Sequence, residues 1–534
     1  MSPFFKKSNH NTDKTDVFLE SKIVNEYKEK PLSPRLEENI QILKKIFEKD
    51  MDYSIRRFEL FQKTPSAIVY LNSLVDKKVI NQDILKQLQE HVMTEEQHAN
   101  LPQYIMENIL YYNDVVTVQN LSQVIGAIVQ GKAIVIIDGI QEALELDVLI
   151  KEKRSIEEPE TERVVRGPRD GFIEQIQTNI ALLRYRLPIP EFRVEETEVG
   201  VRTKTKVVVC YIEDIANPTL VQEVKKRIDA IEIDGVLDSV YIEHFLEDNP
   251  ISPFPQLINT ERPNRVIGNL LEGRVAVLVD GSPSALIAPA TFNEFYHTEE
   301  DYNQHWVFSS LVRIFRIMAL SFSLTFSAIY VTVFSYHPEL IPAKYVVAAS
   351  TGALTIPFPI VFEVLVLEFS MEVLREASVR MPQQVGGALS IVGVLVVGQA
   401  AVQAGFVSPI TVVIIGMSTI ASFAVPAYNA ANTFRMLRFL LIILAGVLGL
   451  LGIALGLILV ANHMLSLRSF GVPYMSPYAP LDIKSLKDSI IRAPYRKMMQ
   501  RPAKIHPQDK TRIGDVPKDY TNYNFLNKEE REKL

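Results

Sequence analysis

The sequence predicts a multi-domain chain: an α/β N-terminal cytosolic region of two related subdomains, then an all-α polytopic membrane domain of about five helical segments. Three observations predict it. A motif at residues 125–143 returns at 267–285, most charge lies before Trp306 or after Leu467, and the stretch between those two residues is strongly apolar. At 534 residues the chain is too long for one ordinary domain. The expected boundaries are a flexible arm at 1–35, a first subdomain at 36–150 and a linker at 151–163. A second subdomain at 164–300, a transmembrane domain at 301–465 and a polar C-terminal tail at 466–534 follow.

The formal net charge of −7 gives no sign of bulk nucleic-acid binding. The opening MSPFFKKSNHNTDKTD has no apolar core of a signal peptide, so the N-terminal region is expected in the cytosol. Cys210 is the single cysteine and sits in the apolar run KVVVCYI, which reads as a buried core thiol. There is no P-loop, dinucleotide fingerprint, metal-spaced His/Cys cluster or catalytic triad pattern, so neither an enzyme nor a cofactor or metal is expected.

Residues 36–105 carry apolar positions at helical spacing and read as amphipathic helices. The repeat follows, as IGAIVQGKAIVIIDGIQEA and then IGNLLEGRVAVLVDGSPSA. Each copy combines a helix end, a Gly, a basic residue, a β-rich run and an Asp-Gly turn. Asp138 and Asp280 read either as turn residues or as groups that bind something at the strand end. Asn217-Pro218 marks a helix start, and GVLDSVYIEHFLED reads as strand or helix. The alternation predicts a partly parallel sheet. In the loop ISPFPQLINTERPNRV, Arg262 could pair with an acid across an interface or simply serve a structural turn.

Five apolar segments follow, at about 317–336, 345–375 with a break at Pro357 and Pro359, 385–404, 407–424 and 439–460. The pairs Arg313/Arg316, Arg375/Arg380 and Arg435/Arg438 mark one side. Five crossings would leave the basic tail on the other side, against that same tendency. The second segment carries Glu363, Glu368, Glu372 and Arg375. At 100° per residue Val361, Val364, Glu368, Glu372 and Arg375 share a face, with Glu363 roughly opposite. That face either lines a water path or forms ion pairs at the membrane surface. On the third segment Ile391, Leu395, Gln399 and Val402 share a face. In an oligomer a ring of Leu395 would form a hydrophobic constriction, with Gln399 hydrating the path; simple helix packing is the plainer alternative.

A run of motifs carries a family resemblance. These are VVRGP (164–168), TNIALLRYR, SPFPQ (252–256), NTERP (259–263), GRVAVLVDGSP (273–283), PFPIVFE (357–363), LREA (374–377), VGQAAVQAG (397–405) and SLRSFGVPY (466–474). In this order they resemble the A subunit of GerA-type spore germinant receptors. The resemblance implies a multi-pass protein of the spore inner membrane that works with a transporter-like B subunit and a C lipoprotein. It implies that copies assemble, as a pentamer, into a cation channel that releases monovalent ions when a nutrient triggers germination. By position in the VGQAA-containing helix it puts the constriction at Leu395. The competing readings are a transporter with Glu368 or Glu372 as a proton-coupled site, and a non-conducting scaffold that couples the soluble region to partners. The spans show no inverted repeat, which favours the channel over the transporter.

Overall fold

A computed structural model describes residues 21–91, 101–110, 115–150, 158–159, 162, 164, 166–342, 356–380, 398–483 and 485–514. In chain order, the first α/β unit contains helix α1 (Leu36–Phe47) and the hairpin of β1 (Tyr53–Leu60) and β2 (Thr64–Leu71). It continues with β3 (Val115–Val118), α2 (Leu121–Val129), β4 (Ala133–Ile137) and β5 (Ala143–Leu146). The second unit repeats this plan. It has α3 (Ile176–Arg186), β6 (Phe192–Val199), β7 (Thr205–Ile212), α4 (Pro218–Asp229) and α5 (Ser239–Leu246). Then come β8 (Ile258–Thr260), α6 (Pro263–Leu270), β9 (Val275–Val279) and β10 (Ala285–Ala288). The sheet orders are β1-β2-β4-β5-β3 and β6-β7-β9-β10-β8, the same permutation twice.

Every pair in both sheets is antiparallel, which corrects the expectation of a partly parallel sheet. The cause is connection length. The Asp-Gly turns join β4 to β5 and β9 to β10 in a few residues, and a parallel link needs a dozen or more. Gly139 and Gly281 hold φ of +87° and +86° there, a conformation that favours glycine. Residues 36–105 are likewise not all helical: β1 and β2 occupy 53–71. Ser66 to Leu71 of the central strand β2 are all buried, and a strand covered on both faces loses the alternation that would betray it. GVLDSVYIEHFLED resolves as α5, whose N-terminus is capped by Asp238.

The repeat extends to its polar details. Asn39 and Asn179 each accept from a backbone N–H six residues earlier, at Ser33 and Ile173, over 3.0 and 2.9 Å. Asp138 Oδ1 accepts from the Leu36 N–H at 2.9 Å and Asp280 Oδ1 from the Ile176 N–H at 3.3 Å. Helices α1 and α3 have no local side-chain cap, so the aspartate of a remote turn supplies one. The two units are tied by Arg184 of α3, whose Nη2 and Nε reach Asp50 and Asp52 at 2.5 and 3.0 Å. Cys210 lies within β7, fully buried, and burial pushes its thiol up to about 12.

Among the described residues, five helices form a bundle: α7 (Trp306–Tyr336), α8 (Ile360–Val379), α9 (Pro409–Ser422), α10 (Tyr428–Leu448) and α11 (Leu450–Ser466). Among the described residues α7 and α10 are long and apolar enough to cross a membrane; α9 and α11 are shorter apolar helices. Pro359, at the expected break, N-caps α8. The run expected as one span at 439–460 is divided by Gly449, at φ +62° and ψ −138°. Thr433 near the start of α10 donates to Pro253 O, and His463 near the end of α11 bonds Ser252 Oγ at 2.9 Å. α10 and α11 are therefore an antiparallel hairpin that leaves and returns to one loop of the second unit.

The C-terminal segment also returns to the second α/β unit. Arg492 Nη1 donates to Asp301 O at 2.7 Å, Arg501 Nε to Leu271 O at 2.6 Å, and Gln508 Nε2 to Ala216 O at 2.7 Å. The described residues of 468–514 are thus a strap packed on the second α/β unit rather than a free polar tail. The hairpin at Gly449 was hidden because the apolar run continues through it, with further glycines on both sides at Gly446, Gly452 and Gly456.

Candidate functional site

The charged residues of α8 are set by three neighbours. Glu363 is 2% exposed. Its Oε2 accepts from the Ser408 N–H at 3.0 Å and from Thr411 Oγ1 at 3.1 Å. Ser408 N-caps α9, so this carboxylate sits at a helix N-terminus, where backbone N–H groups favour negative charge. Tyr330 of α7 bonds Thr411 at 2.9 Å and closes the group.

Just over a turn along α8, Glu368 Oε2 accepts from Arg438 Nη1 at 2.8 Å and its Oε1 from Ser327 Oγ at 2.8 Å. Arg438 also donates to Ser323 Oγ, so α7, α8 and α10 share one buried network. Glu372, at the end nearest the α/β units, meets Arg375 at 2.8 Å and Arg435 at 3.6 Å. The Arg375 guanidinium lies over the Phe423 ring, 5.2 Å from its centre.

Of the expected shared face of Val361, Val364, Glu368, Glu372 and Arg375, two members are buried and three are half-buried. Val364 is fully buried and Glu368 is 4% exposed, whereas the Glu372 side chain is 43% exposed. Glu363, placed on the opposite flank, is also buried, because α9 covers that flank. Spacing gave the face but not the partner. Arg435 and Arg438, expected as orientation-setting charges, supply the counter-charges instead. Arg313 and Arg316 behave alike: Arg313 is fully buried between Asp301 and Asp488, at 3.1 and 2.8 Å, and Arg316 pairs with Asp301 at 2.8 Å.

Of the expected constriction, Ile391 and Leu395 lie outside the described residues. Gln399 is exposed and Val402 half-buried on the helical stretch 398–403. Arg262 is buried within its own chain, where Nη1 donates to Pro168 O at 2.9 Å and pairs with Glu299 at 3.4 Å. Its acid partner thus precedes α7 in the same chain. Asp280 is the remote cap of α3.

Fold and site together define a class: a duplicated antiparallel α/β unit clamped to an apolar helical bundle whose charges are neutralised in pairs. The family model described as Bacillus/Clostridium GerA spore germination protein matches residues 41–504, and the chain belongs to that family. It is 40% identical over 519 residues to "Spore germination protein KA" of Bacillus subtilis (strain 168), covering 96% of this chain and 95% of that protein. It is also 40% identical over 475 residues to "Uncharacterized membrane protein YfkQ" of the same organism, covering 89% and 92%. Among solved structures it matches the N-terminal domain of the A subunit of the Bacillus megaterium spore germinant receptor GerK3, at 34% identity and a TM-score of 0.39, covering 49% of this chain and 97% of that one.

Proposed function

We propose that the chain is the A subunit of a nutrient germinant receptor in the spore inner membrane, and that copies of it assemble, as a pentamer, into a gated monovalent-cation channel. Its bundle crosses the bilayer, and a transporter-like B subunit and a C lipoprotein complete the receptor. Family membership supports the role in germination. The observation that carries the channel reading is the contrast between α8 and the next helical stretch. Glu363 and Glu368 are consumed by partners inside one chain, whereas Gln399 and Gln403 face outward, uncharged and uncovered. A path that water and ions share is better lined by such groups, contributed by several copies, than by internally paired carboxylates. The same pairing weakens the transporter reading, since a proton-coupled Glu368 would have to give up Arg438.

The test is ion efflux from potassium-loaded liposomes holding the chain with its B and C partners. Nutrient-dependent efflux that becomes constitutive in Leu395→Ala is expected. No efflux from either protein, in verified oligomers, would replace the channel by a non-conducting scaffold.

A further inference from the structure

A cavity of about 610 Å³ lies between the second α/β unit and the C-terminal strap, within the size range of small-molecule sites. Its buried base is Arg274, 3% exposed, whose Nη2 donates to Glu294 Oε1 at 2.6 Å. Arg274 Nε and Nη1 are also buried, and neither has a hydrogen-bond partner among the described residues. A buried charged donor left unpaired costs free energy and calls for a partner.

The repeat shows how this arginine came to be available. Lys132 stands at the matching place in the first unit and pairs with Glu145 on its own sheet. Glu145 faces Ile134 across β4 and β5, and Ile287 faces Ala276 across β9 and β10. The second unit has therefore put Ile287 where the first has its acid, and Arg274 faces the strap.

The other charges around the cavity sum to positive. Each lining acid already has an arginine: Glu294 has Arg274, Glu272 has Arg512 at 3.0 Å, and Asp488 has Arg313 at 2.8 Å. Burial pushes His297 down to about 4, so it adds no charge at neutral pH. Lys487, Lys497 and Lys504 also line the cavity and have no ion pair among the described residues.

We propose that this cavity is a binding site for a compact oxyanion of the phosphate type, carried by a free small molecule or by an anionic lipid headgroup. Arg274 meets it at the base, and Lys487, Lys497 and Lys504 neutralise it at the rim. The site is coupled to the bundle, because Asp488 on its wall takes both Arg313 of α7 and the Tyr302 hydroxyl, at 2.8 and 2.9 Å.

The test uses the full chain in nanodiscs and does not depend on conduction. Thermal unfolding is followed with inorganic phosphate against chloride at matched ionic strength, in bilayers of phosphatidylcholine or phosphatidylglycerol. A saturable phosphate-dependent rise in Tm is expected. It should need about tenfold more phosphate in Lys497→Ala/Lys504→Ala, whose changes lie away from the buried pairs, as for the loss of a charge-assisted contact. Arg274→Gln should abolish it. A rise seen only with phosphatidylglycerol, and lost in the same variants, would assign the site to a lipid headgroup. Equal responses from wild type and the lysine variant to both probes would overturn the proposal.

Discussion

Arg438 on α10 holds its Nη1 2.8 Å from Glu368 Oε2 on α8, with both side chains at most 4% exposed. Removing one partner strands a buried charge. Glu368→Ala or Arg438→Ala is therefore expected to destabilise the chain by about 3–5 kcal/mol. Glu368→Leu with Arg438→Met should recover most of that loss, because two apolar groups leave no charge unpaired. Thermal unfolding of the four proteins in one detergent checks this; a double variant no better than the singles would contradict it.

Gly449 is needed for the turn between α10 and α11. Its φ of +62° with ψ of −138° is nearly confined to glycine, and an added Cβ would lie 3.2 Å from the Tyr336 ring. Gly449→Ala should cost about 1–3 kcal/mol. The strap should then become easier to cleave, which limited proteolysis after residue 466 would report. Unchanged stability and cleavage would mean that the turn accepts other conformations.

Asp138 and Asp280 do the same work in the two units. Asp138→Ala and Asp280→Ala should each cost about 1 kcal/mol, the usual price of a lost N-cap. The losses should add in the double variant, since each aspartate caps a helix of its own unit. If Asp280 instead held a ligand, its substitution would move a binding isotherm and leave Tm alone.

Glu243 on α5 gives a pH dependence. It is 6% exposed, and burial, with the nearby Glu247 charge, raises its carboxyl from 4.5 to about 7. Between those values the folded protein keeps a proton that the unfolded chain has lost. The group's contribution is full below pH 4.5 and falls as pH rises to about 7, by a total of about 3 kcal/mol. In Glu243→Gln this loss should vanish, so the variant should match or exceed wild type at pH 8 in urea unfolding. A wild-type curve and a variant curve that stay parallel from pH 4.5 to 8 would refute the assignment.

Much of the fold could be read from the chain itself. The Asp-Gly repeat, the buried thiol at Cys210 and the apolar run that ends α7 at Tyr336 all follow from local pattern, although α7 starts earlier, at Trp306. What escaped was the hairpin β1–β2, because a strand buried on both faces has no alternation, and the Gly449 turn, because glycine in an apolar run reads equally as a packing residue. The site was half legible. Helical spacing found Glu363, Glu368 and Glu372, but the partners Ser408, Arg438 and Arg435 lie 45 or more residues away, and no spacing rule reaches that far.

The clamp between the second α/β unit and the bundle divides the bundle into a frame and an insert. Arg316 fastens the start of α7 to Asp301, Thr433 fastens α10 to Pro253, and His463 fastens α11 to Ser252. Among the described residues, α8 and α9 have no such bond to the α/β units. Their polar groups reach only other bundle helices or the turn that caps α9. A tilt of the second α/β unit would carry three helix ends together and leave the other two behind. Shear would then fall on the seam where Glu368 meets Ser327 and Arg438, so a buried ion pair lies where the two parts would slide.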